Sequence, residues 1–129
     1  MAIQMSEKTI ADKMYLKNAK SMAVLNAAAH PRIVEQFPQE LIAEGDAPAD
    51  VVLMFALNRS QLEELLPQAI ARLGEKGSLW IAYLKQTASK ATDINRDSIN
   101  AYAKENGITG VAMISIDNDW SALRLKRID

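Results

Sequence analysis

Cysteine is absent from the 129 residues. That excludes thiol catalysis, disulfide staples and cysteine-ligated zinc or iron–sulfur centres. It agrees with a reducing cytoplasm, the expected location. Histidine occurs once. Glycine-built ligand loops are missing as well: there is no G-x-G-x-x-G, no Walker A loop and no G-x-S-x-G elbow. No apolar stretch approaches the roughly 20 residues of a membrane span. The opening segment, "MAIQMSEKTIADK", holds no apolar run of signal-peptide length. Net charge is −1, too little for a basic field that would gather nucleic acid or an anionic membrane, so neither is an expected partner. Internal repeats and low-complexity segments are absent.

What remains is an ordinary globular balance, 49% hydrophobic and 24% charged. A chain of this length makes one domain, 1–129, and can bury a core without staples. Ser6 to Tyr15 reads as a short amphipathic helix with Ile10 and Met14 inward. "SMAVLNA" (Ser21 to Ala27) has strand character. Pro31 suits the first position of a helix "PRIVEQF", which His30 caps. "QELIAEG" (Gln39 to Gly45) reads as a short edge strand. "DVVLMFAL" (Asp50 to Leu57) is apolar from Val51 onward, the pattern of a strand covered on both faces.

Ser60 and Glu63 have capping-box spacing and open the next helix. Leu62, Leu65, Leu66, Ala69, Ile70 and Leu73 share its inner face, and Pro67 should kink it. "GEKG" (Gly74 to Gly77) ends it before a second doubly covered strand, Leu79 to Leu84, with Trp80 in the core. Thr92 or Asp93 caps a helix that runs to Asn106, and Gly107 stops it. Ile108 to Ile116 is a strand, Asp117-Asn118-Asp119 a turn, and Trp120 to Lys126 a last strand that alternates Leu123 and Leu125 with Arg124 and Lys126. Strands alternating with helices, then a closing hairpin, predict an α/β three-layer sandwich: a mostly parallel Rossmann-like sheet with one antiparallel C-terminal strand.

Two resemblances follow from these residues. The run "ADVVLMFALNRSQLEELLPQAIARLGEKGSLWIAYLKQ", followed by helix, parallel strand and antiparallel strand, is similar to the second half of the class I S-adenosylmethionine methyltransferase fold. That likeness implies insertion of the last strand between its two predecessors. Leu79-Trp80, Tyr83-Leu84-Lys85, Thr92-Asp93 and Asp117 to Leu123 resemble the pattern of a bacterial family of unknown function. Leu84 stands where that pattern has proline. The family implies a fold and a candidate surface, and no reaction.

A methyltransferase of this fold needs a glycine-rich turn after the first strand and an acid after the second. Here the turn is Ala27-Ala28-Ala29-His30-Pro31, and only Glu44 could serve as the acid. The candidate ligand site lies instead in the segment from Lys85 to Arg96, at the carboxyl end of a central strand. It gathers Lys85, Thr87, Ser89, Lys90, Thr92, Asp93 and Arg96 at a helix start that attracts anions. Asp119 and Trp120 should emerge at the same rim, so an anionic small molecule between Lys85, Arg96 and Trp120 is one reading. In the other, Thr92 or Asp93 only caps, Arg96 pairs with Asp93 or Asp97, and Trp120 is buried to close the sheet. His30 reads as a cap, and Asp117 with Asp119 as turn formers, since no further ligand completes a metal site. No catalytic residue and no required cofactor are assigned.

Three roles fit these features. The leading one is a non-catalytic domain that binds a ligand or partner. The second is a reduced enzyme that uses S-adenosylmethionine. The third is an oligomer-forming protein, a homodimer through the face of the helix Ser60 to Leu73.

Overall fold

The computed structural model describes Met14, Leu16 and residues 19–43, 47–85 and 93–128. The expected helix from Ser6 to Tyr15 falls outside them apart from Met14, which is buried. Among the described residues five strands build the sheet: β1 (Met22–Leu25), β2 (Ala49–Phe55), β3 (Leu73–Leu84), β4 (Ile108–Ser115) and β5 (Trp120–Arg127). Three α-helices accompany them among the same residues: α1 (Pro31–Glu35), α2 (Arg59–Arg72) and α3 (Arg96–Glu105). Among the described residues no helix is long and apolar enough to cross a membrane.

The sheet order is β1-β2-β3-β5-β4. β1 pairs with β2 and β2 with β3 in parallel, while β5 runs antiparallel to both β3 and β4. β5 is therefore inserted, as the methyltransferase likeness implied. Four strands point one way, yet the pairings divide evenly between parallel and antiparallel. The sheet is thus mixed, and the expected parallel majority holds for strand direction alone.

β2 is buried on both sides because two cores meet there. Val52 and Met54 join Leu62, Leu66 and Ala69 of α2 and Ile99 and Ala103 of α3. Val51, Leu53 and Phe55 turn to the opposite core with Trp80, Ile33 and Trp120. Leu62, Leu66 and Ala69 repeat at helical spacing, so α2 presents one apolar stripe. Burying each leucine contributes about 1.5–3 kcal/mol against an exposed one. α2 continues through Pro67 to Arg72.

Both predicted caps shift to asparagine. Asn58, not Ser60, caps α2, accepting from the Gln61 N–H. Asn95, not Thr92 or Asp93, caps α3, in a capping box with Ser98. In each case the asparagine stands immediately before the first helical residue, where its short amide reaches the third N–H. Gly107 ends the α3 region at φ 83°, as expected of a left-handed stop.

Two other stretches differ from expectation. Gln39 to Leu41 winds into a 3₁₀ turn, and only Ile42 bridges Met22 in parallel. The Gln39 amide explains the winding: it donates to the carbonyls of Val34 and Phe37 and draws the chain back. Gly74 to Gly77 does not separate α2 from β3 but belongs to the strand, as an oversized bulge between the pairs Ala49–Leu73 and Val51–Ser78. A Cβ on Gly77 would lie 2.9 Å from the Asp50 carbonyl oxygen, so backbone approach demands glycine there.

Candidate functional site

The carboxyl ends of β1, β2, β3 and β4 share one rim of the sheet. Leu84 pairs with Trp120, and the Lys85 N–H donates to the Asp119 carbonyl at 2.7 Å. The segment after Tyr83 and the β4–β5 turn therefore leave from the same rim, as the candidate site required. Two separate arrangements occupy it.

The first lies at the end of β1. The chain passes from β1 to the Ile42 bridge on one side and back to β2 on the other. This is the switch point at which open α/β sheets hold ligands. Asn26 follows β1 in the left-handed conformation, φ 61° and ψ 40°, which asparagine tolerates better than most residues. Its Nδ2 donates to the Phe55 carbonyl at 2.9 Å and to Gln61 Oε1 at 3.1 Å. Gln61 Oε1 also accepts from the Leu57 N–H at 2.9 Å. One asparagine thus ties the end of β1 to the end of β2 and to the first turn of α2, so the switch-point crevice is laced shut.

His30 closes the same region from above. It stands at the N-cap position of α1, but its side chain does not cap. Instead Nε2 lies 2.8 Å from Asp117 Oδ2, and the ring tilts against Trp120 and Phe55 with centroids 5.6 and 6.3 Å away. Trp120 meets Phe55 edge to face at 5.6 Å, a favoured aromatic geometry. Trp120 is only 7% exposed. Asp117 Oδ1 accepts the N–H groups of Asp119 and Trp120. Burial pushes the Asp117 carboxyl up, but the bonds from His30 and those two N–H groups outweigh it and hold the group below its usual range.

The second arrangement is open. On the α2–α3 face of the sheet, Tyr83, Lys85, Asn95, Arg96, Asp97, Met113 and Ser121 line a cleft of about 340 Å³. Strand alternation explains its make-up: Tyr83 and Lys85 point to this face, and Ser121 is the β5 partner of Tyr83. Lys85 Nζ donates to Ser115 Oγ at 2.8 Å and to the Asp117 carbonyl at 2.6 Å. Arg96 opens α3 and is exposed, with a 3.4 Å contact to Asp97. Tyr83 donates its hydroxyl to the Met113 sulfur. Burial raises its phenol, against the opposing pull of Arg96 and of a hydrogen bond with Ser121.

Of the expected ligand residues, the structure brings Lys85 and Arg96 into one cleft. It does not bring Trp120 there, because Trp120 belongs to the opposite core. Asp119 is exposed in the turn and gives its carbonyl to Lys85. Asp93 serves neither α3 nor the cleft: its carboxylate accepts the Arg59 N–H at 2.8 Å and so supports the start of α2. Thr87, Ser89, Lys90 and Thr92 lie outside the described residues, as does Glu44. Among the described residues no group of three or more potential ligands could hold a metal ion. The His30–Asp117 pair escaped the sequence because 87 positions separate its members. Tyr83 and Ser121 carried a signal that could have been used, since Tyr83 and Lys85 share strand parity.

With this geometry in view, the likenesses to known proteins are consistent. A family model described as "Protein of unknown function (DUF3052)" matches residues 17–128. A search of curated proteins gives no match. Among solved structures, the ribosomal protein L11 methylase from Lactobacillus delbrueckii subsp. bulgaricus superposes with a TM-score of 0.58 at 14% identity, over 92% of this chain and 74% of its own. LaPhzM gives 0.59 at 12% identity, over 92% and 54%. The O-methyltransferase NcsB1 from neocarzinostatin biosynthesis, in complex with S-adenosylmethionine and 2-hydroxy-5-methyl naphthoic acid, gives 0.53 at 14%, over 83% and 41%. The chain thus spans about half the length of the last two. At such identities the likeness establishes the fold alone, the Rossmann-like architecture that these neighbours share.

Proposed function

We propose, for a chain that belongs to the DUF3052 family and carries a methyltransferase-like fold, a binding role rather than a catalytic one. The ligand is a small anion, and its site is the cleft between Tyr83, Lys85, Arg96 and Ser121. One observation carries this reading: Asn26 spans the switch-point crevice to Phe55 and Gln61. A dinucleotide-type or S-adenosylmethionine ligand needs backbone free to approach it there, which glycine provides and a hydrogen-bonded asparagine does not.

The cleft supports the alternative location. Its volume lies within the range of small-molecule sites. Lys85 and Arg96 line it together with Met113, and the one acid among the described lining residues, Asp97, lies 3.4 Å from Arg96. Arg96 offers a planar fork suited to carboxylate or phosphate. The sheet end, the α3 start and the Tyr83 hydroxyl fix the shape of the site. No nucleophile paired with a base lines it among the described residues.

A thermal-shift series tests the reading with nucleoside monophosphates, inorganic phosphate and S-adenosylmethionine. A ligand at 100 times its Kd stabilises by about 2.7 kcal/mol. The expected result is stabilisation by a phosphate-bearing compound, lost in Arg96→Ala, with none from S-adenosylmethionine. Saturable stabilisation by S-adenosylmethionine that survives Arg96→Ala would establish the enzyme reading instead. Equal affinity of phosphate compounds for wild type and Lys85→Ala would remove the cleft as their site.

A further inference from the structure

We infer that β4 is the seam of a homodimer in which two copies pair antiparallel, β4 against β4, about a two-fold axis at Met113. The reasoning starts from the two edges of the sheet. Natural sheets guard their edges with short strands, charged residues, proline, β-bulges or a covering segment. At one edge β1 has four residues and the Ile42 bridge beside it. At the other, β4 runs for eight residues, ITGVAMIS, with no charge and no proline; it is interrupted by a bulge at Val111, between the pairs Gly110–Leu125 and Ala112–Arg124, and is regular from there to Ser115. Val111 and Met113 are 46% and 47% exposed. A strand with that composition calls for another strand beside it.

The charges at its ends identify that strand as a second copy. At the amino end of β4, Thr109 pairs with Lys126 and Ile108 with Arg127. Lys104 and Glu105 close α3 nearby. The carboxyl end leads into the exposed Asp119 and into Asp117, whose carboxylate holds His30 and two N–H groups while Lys85 holds its carbonyl. A two-fold axis at Met113 sets Val111 opposite the partner's Ser115, and beyond the bulge it brings the Thr109–Lys126 end near the partner's Asp117 turn. The basic end of each copy then meets the acidic end of the other, twice. A parallel pairing would bring like ends together instead. The notch between α3 and the strand, lined by Arg96, Asn100, Val111 and Met113 and about 240 Å³ in volume, leaves room for the partner's side chains. Asn100 already holds the Gly110 N–H at 2.8 Å, which marks where pairing stops. The sheet becomes ten strands, and the two Met113-lined clefts face each other across the seam.

The absence of cysteine makes the register testable. Directly opposed residues of an antiparallel pair have Cα atoms about 4.5–5.5 Å apart, within disulfide reach. Under mild oxidation Met113→Cys should cross-link to a covalent dimer, whereas Ile128→Cys, exposed beyond the far end of the seam, should not. Sedimentation equilibrium of the wild type should return twice 14.2 kDa. Val111→Lys should return one chain mass with the circular-dichroism spectrum of the folded wild type and a Tm that no longer rises with protein concentration. Lys126→Glu should raise the dimer Kd by about two- to tenfold. A monomeric wild type, a dimer untouched by Val111→Lys, or cross-linking as fast through Ile128→Cys as through Met113→Cys would each overturn the seam.

Discussion

Two hollows at one rim of the sheet, a few strands apart, have opposite characters. At β1 and β2 the side chains beside the crevice are engaged by protein: Asn26 Nδ2 by Phe55 and Gln61, His30 Nε2 by Asp117. At β3 and β5 the hollow stays open, with Arg96 exposed beside it. The fold alone therefore does not decide where, or whether, a ligand binds. The side chains after each strand decide it. A buried, fully paired group contributes structure, whereas a solvated cation beside a cleft retains its bonding capacity for something else.

The contrast can be broken most forcefully at Trp120. Trp120→Ala should cost about 3–5 kcal/mol in urea unfolding, because it removes the ring that Phe55 and His30 pack against. A loss below about 1 kcal/mol would show that the closed hollow is not part of the core. Next in size is Asn26→Ala, at about 1–3 kcal/mol, since the Phe55 carbonyl and Gln61 lose a donor and alanine resists a left-handed backbone. Asn26→Gly should lose less, because glycine accepts that conformation freely. Equal losses would mean that the conformation adds nothing.

Acid should act on the closed hollow. The folded Asp117 carboxyl is held below its unfolded value, so its contribution is complete above the ordinary carboxylate pKa and fades as pH falls through the lower folded one. Stability followed by pH titration should decline across that acidic window in wild type and less in Asp117→Asn. Identical slopes would remove the pair from the account. The smallest effect belongs to the open cleft: Arg96→Ala should change stability by less than about 0.5 kcal/mol, whatever it does to ligand affinity. A larger loss would make Arg96 structural and blur the distinction between the hollows.

Much of the architecture was readable from residues. The apolar run from Val51 to Leu57 marked a doubly covered strand, which ends at Phe55, and the "DND" turn before alternating leucines marked a returning one. The common exit of Lys85 and Trp120 followed from strand direction. Cap identity was not readable, because "NRSQLEE" carries both N-x-x-Q and S-x-x-E spacing, and only the helix start at Arg59 chooses between them. Which face Trp120 takes was implicit: it lies three residues before Leu123, and odd spacing along a strand reverses the side. The His30–Asp117 contact was beyond reach, since nothing local links residues so far apart in sequence. Gly74 to Gly77 misled because two glycines normally mark a turn, whereas here they permit a strand to crowd the Asp50 carbonyl.

Asp93 ends up as a mechanical fastener. By gripping the Arg59 N–H, while the Arg59 guanidinium lies 4.6 Å from the centre of the Tyr102 ring, it couples the start of one helix to the flank of the next. Asp93 stands two residues before Asn95, so the cap of one helix and the opening of the other hang from a single short stretch of chain.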